Sequence, residues 1–263
     1  MIVAGVDVGS LTAKAVILQN DKILASAVLR ATPSPSQSAQ AVMDMALAQA
    51  GLSQDDVAFT VGTGYGRKQI DFVNHVESEI SCHARGAVWN LPSVRSIIDI
   101  GGQDAKAARI DENGNVERYG YNDKCASGTG RFLEVMAEAL EVPLEDMGDL
   151  DLKATRDVSI SNQCVVFAET EVISLVNKAY EVPDIVKGLH KAMAGRVAAL
   201  AKSIGMESDV AFTGGVAKNK GLARALEKAL GIELKFLETD PQTNGALGAA
   251  LMAAQMVAEK KSA

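Results

Sequence analysis

The chain has 263 residues, 48% hydrophobic and 22% charged, proportions of a globular protein long enough to bury a sizeable core. A formal net charge of −7 argues against nucleic acid or an anionic membrane surface as the main partner. No run of about 18 apolar residues predicts a membrane span. The three cysteines, in a chain whose first residues show no basic leader, read as thiols of a reducing cytoplasm.

Residues 1–8 (MIVAGVDV) read as a buried strand carrying Asp7, followed by a turn at Gly9, Ser10 and Leu11 and a second strand through Thr12, Ala13 and Lys14. Asn20 and Asp21 mark a tight hairpin turn into a third strand. Residues 36–50 follow a Pro/Ser stretch, keep helical spacing and stop at Gly51.

The pattern then returns. VDVGSLTAK at 6–14 is matched by IDIGGQDAK at 98–106, and AARIDENGNVERYG continues the second copy as strand, turn and strand. Two copies of strand, Asp, Gly turn and strand imply two similar subdomains facing each other. Helices are expected over 128–141, 165–180, 184–204 and 218–230, and a small-residue helix from 242.

A glycine turn after a strand lets backbone N–H groups approach phosphate oxygens, because no Cβ blocks them. Here a strand follows each of the first two turns, unlike the helix that follows a Rossmann or Walker A loop. Ser10, Thr12 and Lys14 add hydroxyls and a cation at the first turn, and Gly101 and Gly102 form the second. Asp7 and Asp104 are candidate holders of Mg²⁺, directly or through water. Gln103 is a candidate to orient an attacking water. A third turn, FTGGVAKN at 212–219, opens a helix and offers Gly214, Gly215, Lys218 and Asn219 to a nucleotide, with Gln242 at the start of the last segment. These turns, in this order, resemble the phosphate-1, phosphate-2 and adenosine motifs of the actin/sugar-kinase/Hsp70 superfamily. The resemblance implies an α/β fold of two ribonuclease-H-like subdomains with ATP in the cleft between them. The expected division is 1–93, completed by a C-terminal helix over 245–263, and 94–244.

Cys125 and Cys164 each follow polar turn residues and precede a helical pattern, where the positive end of a helix lowers a thiol pKa. Spacing alone favours small buried core cysteines over ligands. Two chains related by a two-fold axis would offer four thiolates, the usual set for a [4Fe-4S] cluster. Cys82 reads as a buried or spare thiol. The histidines His75, His83 and His190 have no paired metal-ligand spacing.

NDKCASGTGRF and QCVVFAETEVIS resemble the two cysteine motifs of the 2-hydroxyacyl-CoA dehydratase activators, ATPases of the BadF/BadG/BcrA/BcrD type, which include ATPase subunits of benzoyl-CoA reductase. VDVGSLTAK, GTGYGR, DIGGQDAK, GGVAKN and GALGAAL extend the resemblance over nearly the whole chain. It implies a homodimer sharing one [4Fe-4S] cluster through Cys125 and Cys164, and hydrolysis of ATP to ADP with Mg²⁺. It further implies a ferredoxin or flavodoxin as electron donor and a separate iron–sulfur dehydratase or reductase, a double-cubane reductase among them, as acceptor. The rival readings are a small-molecule kinase of the same fold and a nucleotide switch whose cysteines only pack. Neither gives the paired cysteines a task.

Overall fold

The computed structural model describes residues 1–161 and 164–262. The sequence repeat is a structural repeat. Strand β1 (Ile2–Val8) pairs antiparallel with β2 (Thr12–Gln19), which pairs with β3 (Lys22–Arg30) through a turn whose Asn20 and Asp21 take positive φ of 49° and 61°. Helix α1 (Pro35–Ala50) follows, capped by Ser34 and ended by Gly51 at φ 67°. Strands β4 (Phe59–Thr63) and β5 (His75–Val76) complete a sheet of order β3-β2-β1-β4-β5.

Helix α2 (Glu79–Asn90) then leads to β6 (Ser96–Ile100), β7 (Ala105–Ile110) and β8 (Val116–Asn122), which repeat the β1–β3 meander. Helices α3 (Gly130–Ala139), α4 (Met147–Leu150), α5 (Val165–Asn177) and α6 (Val182–Ser203) precede β9 (Val210–Thr213), α7 (Lys220–Leu230), β10 (Leu234–Phe236) and α8 (Asn244–Ser262). The second sheet runs β10-β9-β6-β7-β8, the order of the first with each strand replaced by its counterpart. Register agrees as well: Asp7 lies opposite Lys14, and Asp99 opposite Lys106.

Period-two alternation sorts each strand's side chains to two faces. Ala13, Ala15 and Ile17 of β2 pack with α1, while Val16 and Leu18 pack with α8. Ile98 and Ile100 of β6 join the large core beneath α3, α5, α6 and α7, and Ile97 packs with Ala84 and Ala87 of α2. Helices α2 and α8 therefore lie between the two sheets. They touch where Gly86 meets Asn244 and Gly248 meets the Cys82 carbonyl, contacts that leave no room for a Cβ. Among the described residues no helix is long and apolar enough to cross a membrane.

Six of the expected helices and both hairpins are present with shifted ends. Helix α2 was not among the expected elements. Its buried face carries Cys82, His83 and Gly86 among small alanines, so it lacks the strong apolar stripe that reveals a surface helix.

Candidate nucleotide cleft and cysteine face

The glycine turns converge on one cleft of about 360 Å³, within the usual range of small-molecule sites. Its walls include Asp7, Leu11, Thr12 and Lys14 from the first repeat, and Gly101 and Gly102 from the second. Gly214, Gly215, Lys218, Asn219 and Gln242 close it from the third turn and the last segment. Gln242 Nε2 donates to Thr12 Oγ1 at 3.4 Å and Lys218 Nζ to Gln242 Oε1 at 3.0 Å, which ties the first turn to the third. Gly214 has φ 86°, and a Cβ there would strike the Ile100 carbonyl.

Five of the residues expected at the site do not line this cleft. Gly9 shapes the first turn by donating its N–H to the Thr12 carbonyl at 3.0 Å, Ser10 is exposed, and Ala13 packs in the core behind. Gln103 stands exposed on the second turn. Asp104 is engaged with Lys106, 2.6 Å from its Nζ.

The floor of the cleft is charged. Lys14 Nζ lies 3.1 Å from Asp7 Oδ2, while Asp7 Oδ1 is buried with no hydrogen-bond partner among the described residues. In the second repeat, Lys106 is fully buried and meets Asp104, Glu79 at 3.0 Å and Asp99 at 3.4 Å. The Tyr121 ring covers it, 5.2 Å from Nζ to the centroid. Asp99 Oδ1 accepts from Thr213 Oγ1 at 2.8 Å and lies 3.1 Å from His83 Nδ1.

Burial works to raise the Asp99 pKa, but His83, Lys106 and the Thr213 hydroxyl hold it below the usual carboxylate value. Burial likewise pulls Lys106 down, and Asp99, Glu79 and Asp104 together outweigh it and lift the ammonium well above its ordinary pKa. Glu79 is raised, chiefly by burial. Glu79, His83 and Asp99 present donor atoms within 4.8 Å of one another, a spacing that could hold a cation. Lys106 already supplies the positive charge between two of these carboxylates.

Glu79 and His83 belong to the site and escaped sequence reasoning, because their i,i+4 relation counts only once α2 is known to be a helix. Asp99 was legible as the repeat partner of Asp7.

Both expected ligand cysteines are exposed and free, and Cys82 is buried beside Met252 with its thiol pKa pushed up by burial. Cys125 caps a 3₁₀ turn, Ala126–Gly128, which hands on to α3 at Gly130, so it stands one turn ahead of the helix. Its Sγ lies 2.8 Å from Ser127 Oγ, and hydrogen bonds from Ser127 lower its pKa. Cys164 is the N-cap residue of α5. Asn162 and Gln163 of the same motif lie outside the described residues. The first amides of α3 are bonded to the phosphate-2 turn: Gly130 N–H to the Gly101 carbonyl at 2.9 Å and Arg131 N–H to the Gly102 carbonyl at 2.7 Å. The cleft and the cysteine helix thus share a backbone junction.

Two repeated halves with three glycine turns around a carboxylate-floored cleft define a protein of the actin/sugar-kinase/Hsp70 fold. Within that class the chain belongs to the BadF/BadG/BcrA/BcrD ATPase family, which it matches over residues 4–253. It is 47% identical to the activator of lactoyl-CoA dehydratase of Anaerotignum propionicum, over 99% of this chain and 100% of the relative. It is 46% identical to the (R)-2-hydroxyglutaryl-CoA dehydratase activating ATPase of Acidaminococcus fermentans, over 97% of this chain and 98% of the relative. The solved structure of the activator of 2-hydroxyisocaproyl-CoA dehydratase from Clostridium difficile with bound ADPNP superposes with a TM-score of 0.95 at 41% identity, covering 100% of this chain and 97% of that one.

Proposed function

We propose that this chain is a cytoplasmic, ATP-hydrolysing one-electron activator that works as a homodimer with one shared [4Fe-4S] cluster, reduced by a ferredoxin or flavodoxin and serving a partner iron–sulfur enzyme such as a 2-hydroxyacyl-CoA dehydratase. The observation that carries the reading is the junction of Gly101 and Gly102 with the first amides of α3, which joins a nucleotide turn to the Cys125 segment.

The residues fit the cluster. Both thiols are accessible, Cys125 is already biased toward thiolate one turn ahead of α3, and Cys164 stands at the N-cap of α5, where an anionic group is favoured. One chain supplies two of four ligands, so a second copy is required. Beside Cys164, helix α5 exposes Val166, Phe167, Ile173 and Val176, an apolar strip suited to a like surface of the second copy. The bound cluster would supply the one-electron carrier.

The chain's own residues do the rest. Backbone N–H groups at the glycine turns bind phosphate, Lys14 neutralises it, and Asp7 holds a water of Mg²⁺. Asp99 and Asp104, pinned by Lys106, face the phosphate-2 turn from below. We place the moving bodies at 1–93 with the C-terminal helix, and at 94–244, closing where α2 packs on the second sheet as nucleotide-driven hinges commonly do. Closure that displaces Gly101 and Gly102 pulls the start of α3 with them, and Lys106 beneath Tyr121 grips β8, the strand that ends three residues before Cys125.

The test is anaerobic purification followed by iron, acid-labile sulfide and visible absorbance, with solution mass. About four irons per dimer are expected. Cys125→Ser or Cys164→Ser should remove the chromophore and leave nucleotide binding in place. An iron-free intact preparation, or a serine variant that keeps its iron, overturns the reading.

A further inference from the structure

We infer that His190 is a positioning residue of the nucleotide cleft: it holds Asn219 in one orientation at the cleft wall and, through Asp151, anchors the adjoining segment 144–151 to α7. The inference rests on the reading that nucleotide occupies the cleft.

The hydrogen bonds determine the arrangement in turn. Leu222 N–H donates to Asn219 Oδ1 at 2.9 Å, capping α7, so the amide oxygen of Asn219 is committed. Its amide nitrogen therefore faces His190 Nε2, at 3.2 Å. An amide NH₂ only donates, so Nε2 must be the unprotonated nitrogen. The proton then resides on Nδ1 and is donated to Asp151 Oδ2, 3.0 Å away. Asp151 uses its other oxygen to accept from Arg224, which also donates to the Gly148 carbonyl at 2.6 Å. Burial would raise the Asp151 pKa, and His190 and Arg224 reverse that, keeping it ionised.

His190 is fully buried and does not line the cleft, whereas Asn219 does. It can act on the nucleotide only through a neighbour. The network also spans both sides of that wall. Leu144 and Glu145 line the cleft from the segment that ends in Asp151, and Lys218 and Asn219 line it at the start of α7. His190, on α6, is the group bonded to both. Gly221 packs onto this junction so closely that a Cβ would lie 2.6 Å from Asp151 Oδ2 and from the His190 ring. A neutral imidazole with one donor and one acceptor on opposite edges is the side chain this position requires.

The experiment is fluorescence titration of the anaerobically purified full chain with a fluorescent ADP analogue and Mg²⁺, for wild type, His190→Phe, Asn219→Ala and the double variant. Each single change should weaken binding about tenfold, and the double variant should bind no worse than Asn219→Ala, a coupling of about 1.4 kcal/mol. His190→Gln, whose side-chain carbonyl can accept from Asn219, should recover most of the affinity, which a role in packing alone would not predict. Should His190→Phe fail to fold, Asp151→Asn takes its place in the cycle. Independent, additive losses sink this inference and leave the cleft reading intact, whereas wild-type affinity in Asn219→Ala removes Asn219 from the nucleotide site and the inference with it.

Discussion

Replacing Lys106 with Met probes the charged floor of the cleft most directly. Methionine fills a similar volume without charge, so the loss falls on the ammonium rather than on packing. Three carboxylates then face one another: Asp99, which is 1% exposed, with Glu79 and Asp104 at the edge of the same pocket. Asp99 keeps Thr213 and His83, but nothing replaces Lys106 between Glu79 and Asp104. Removing one partner of a buried pair costs about 3–5 kcal/mol. For a chain of this size that lowers the thermal midpoint by roughly 10 °C.

The pH dependence has a defined sign. In the wild type the Lys106 pKa is raised, so its stabilisation is complete at neutral pH and is lost only when pH rises past the ordinary lysine value of 10.5. In the variant the unpaired carboxylates are relieved by protonation, Glu79 first because burial already raises it. The deficit should therefore shrink between about pH 8 and pH 5.5. Thermal unfolding of the nucleotide-free proteins, followed by circular dichroism at both pH values, measures it. A midpoint within about 2 °C of wild type at pH 8, or a deficit that grows on acidification, would refute the electrostatic account.

Other consequences follow from the same geometry. Gly248→Ala drives a Cβ into the Cys82 carbonyl at the α2–α8 crossing and should cost about 1–3 kcal/mol despite the better helix propensity of alanine, read as a lowered unfolding midpoint. In metal-free native protein, iodoacetamide should label Cys125 well before Cys82, and Ser127→Ala should slow the Cys125 reaction at pH 7, since Ser127 is the main cause of its lowered pKa; mass spectrometry of the labelled peptides decides. Asp99, Asp151 and Asp184 all have pKa values below the ordinary 3.8, so the stability they contribute is present above that value and lost as pH falls through their folded values; acid titration of the circular dichroism signal should show the loss setting in below about pH 4.

Much of this protein is written in local signals. The hairpin turn at Asn20–Asp21, the glycine stop of α1 and the repeated strand, Gly turn and strand of each meander depend on neighbours a few residues apart, and the sequence alone determined them. The same holds for the two cysteines ahead of helices and for the ordered series of short motifs that marks the family. Tertiary structure decided the rest. Helix α2 packs between α8 and the second sheet, and its buried face of Cys82, His83, Gly86 and alanines lacks the apolar periodicity that would have announced it and the Glu79–His83 pair. Lys106 becomes a fully buried cation only because Glu79 arrives from that helix and Asp99 from the neighbouring strand. His190 looked unremarkable along the chain, yet its partners Asp151 and Asn219 lie 39 and 29 residues away. Such contacts are set by how elements pack, and no window of sequence contains both ends.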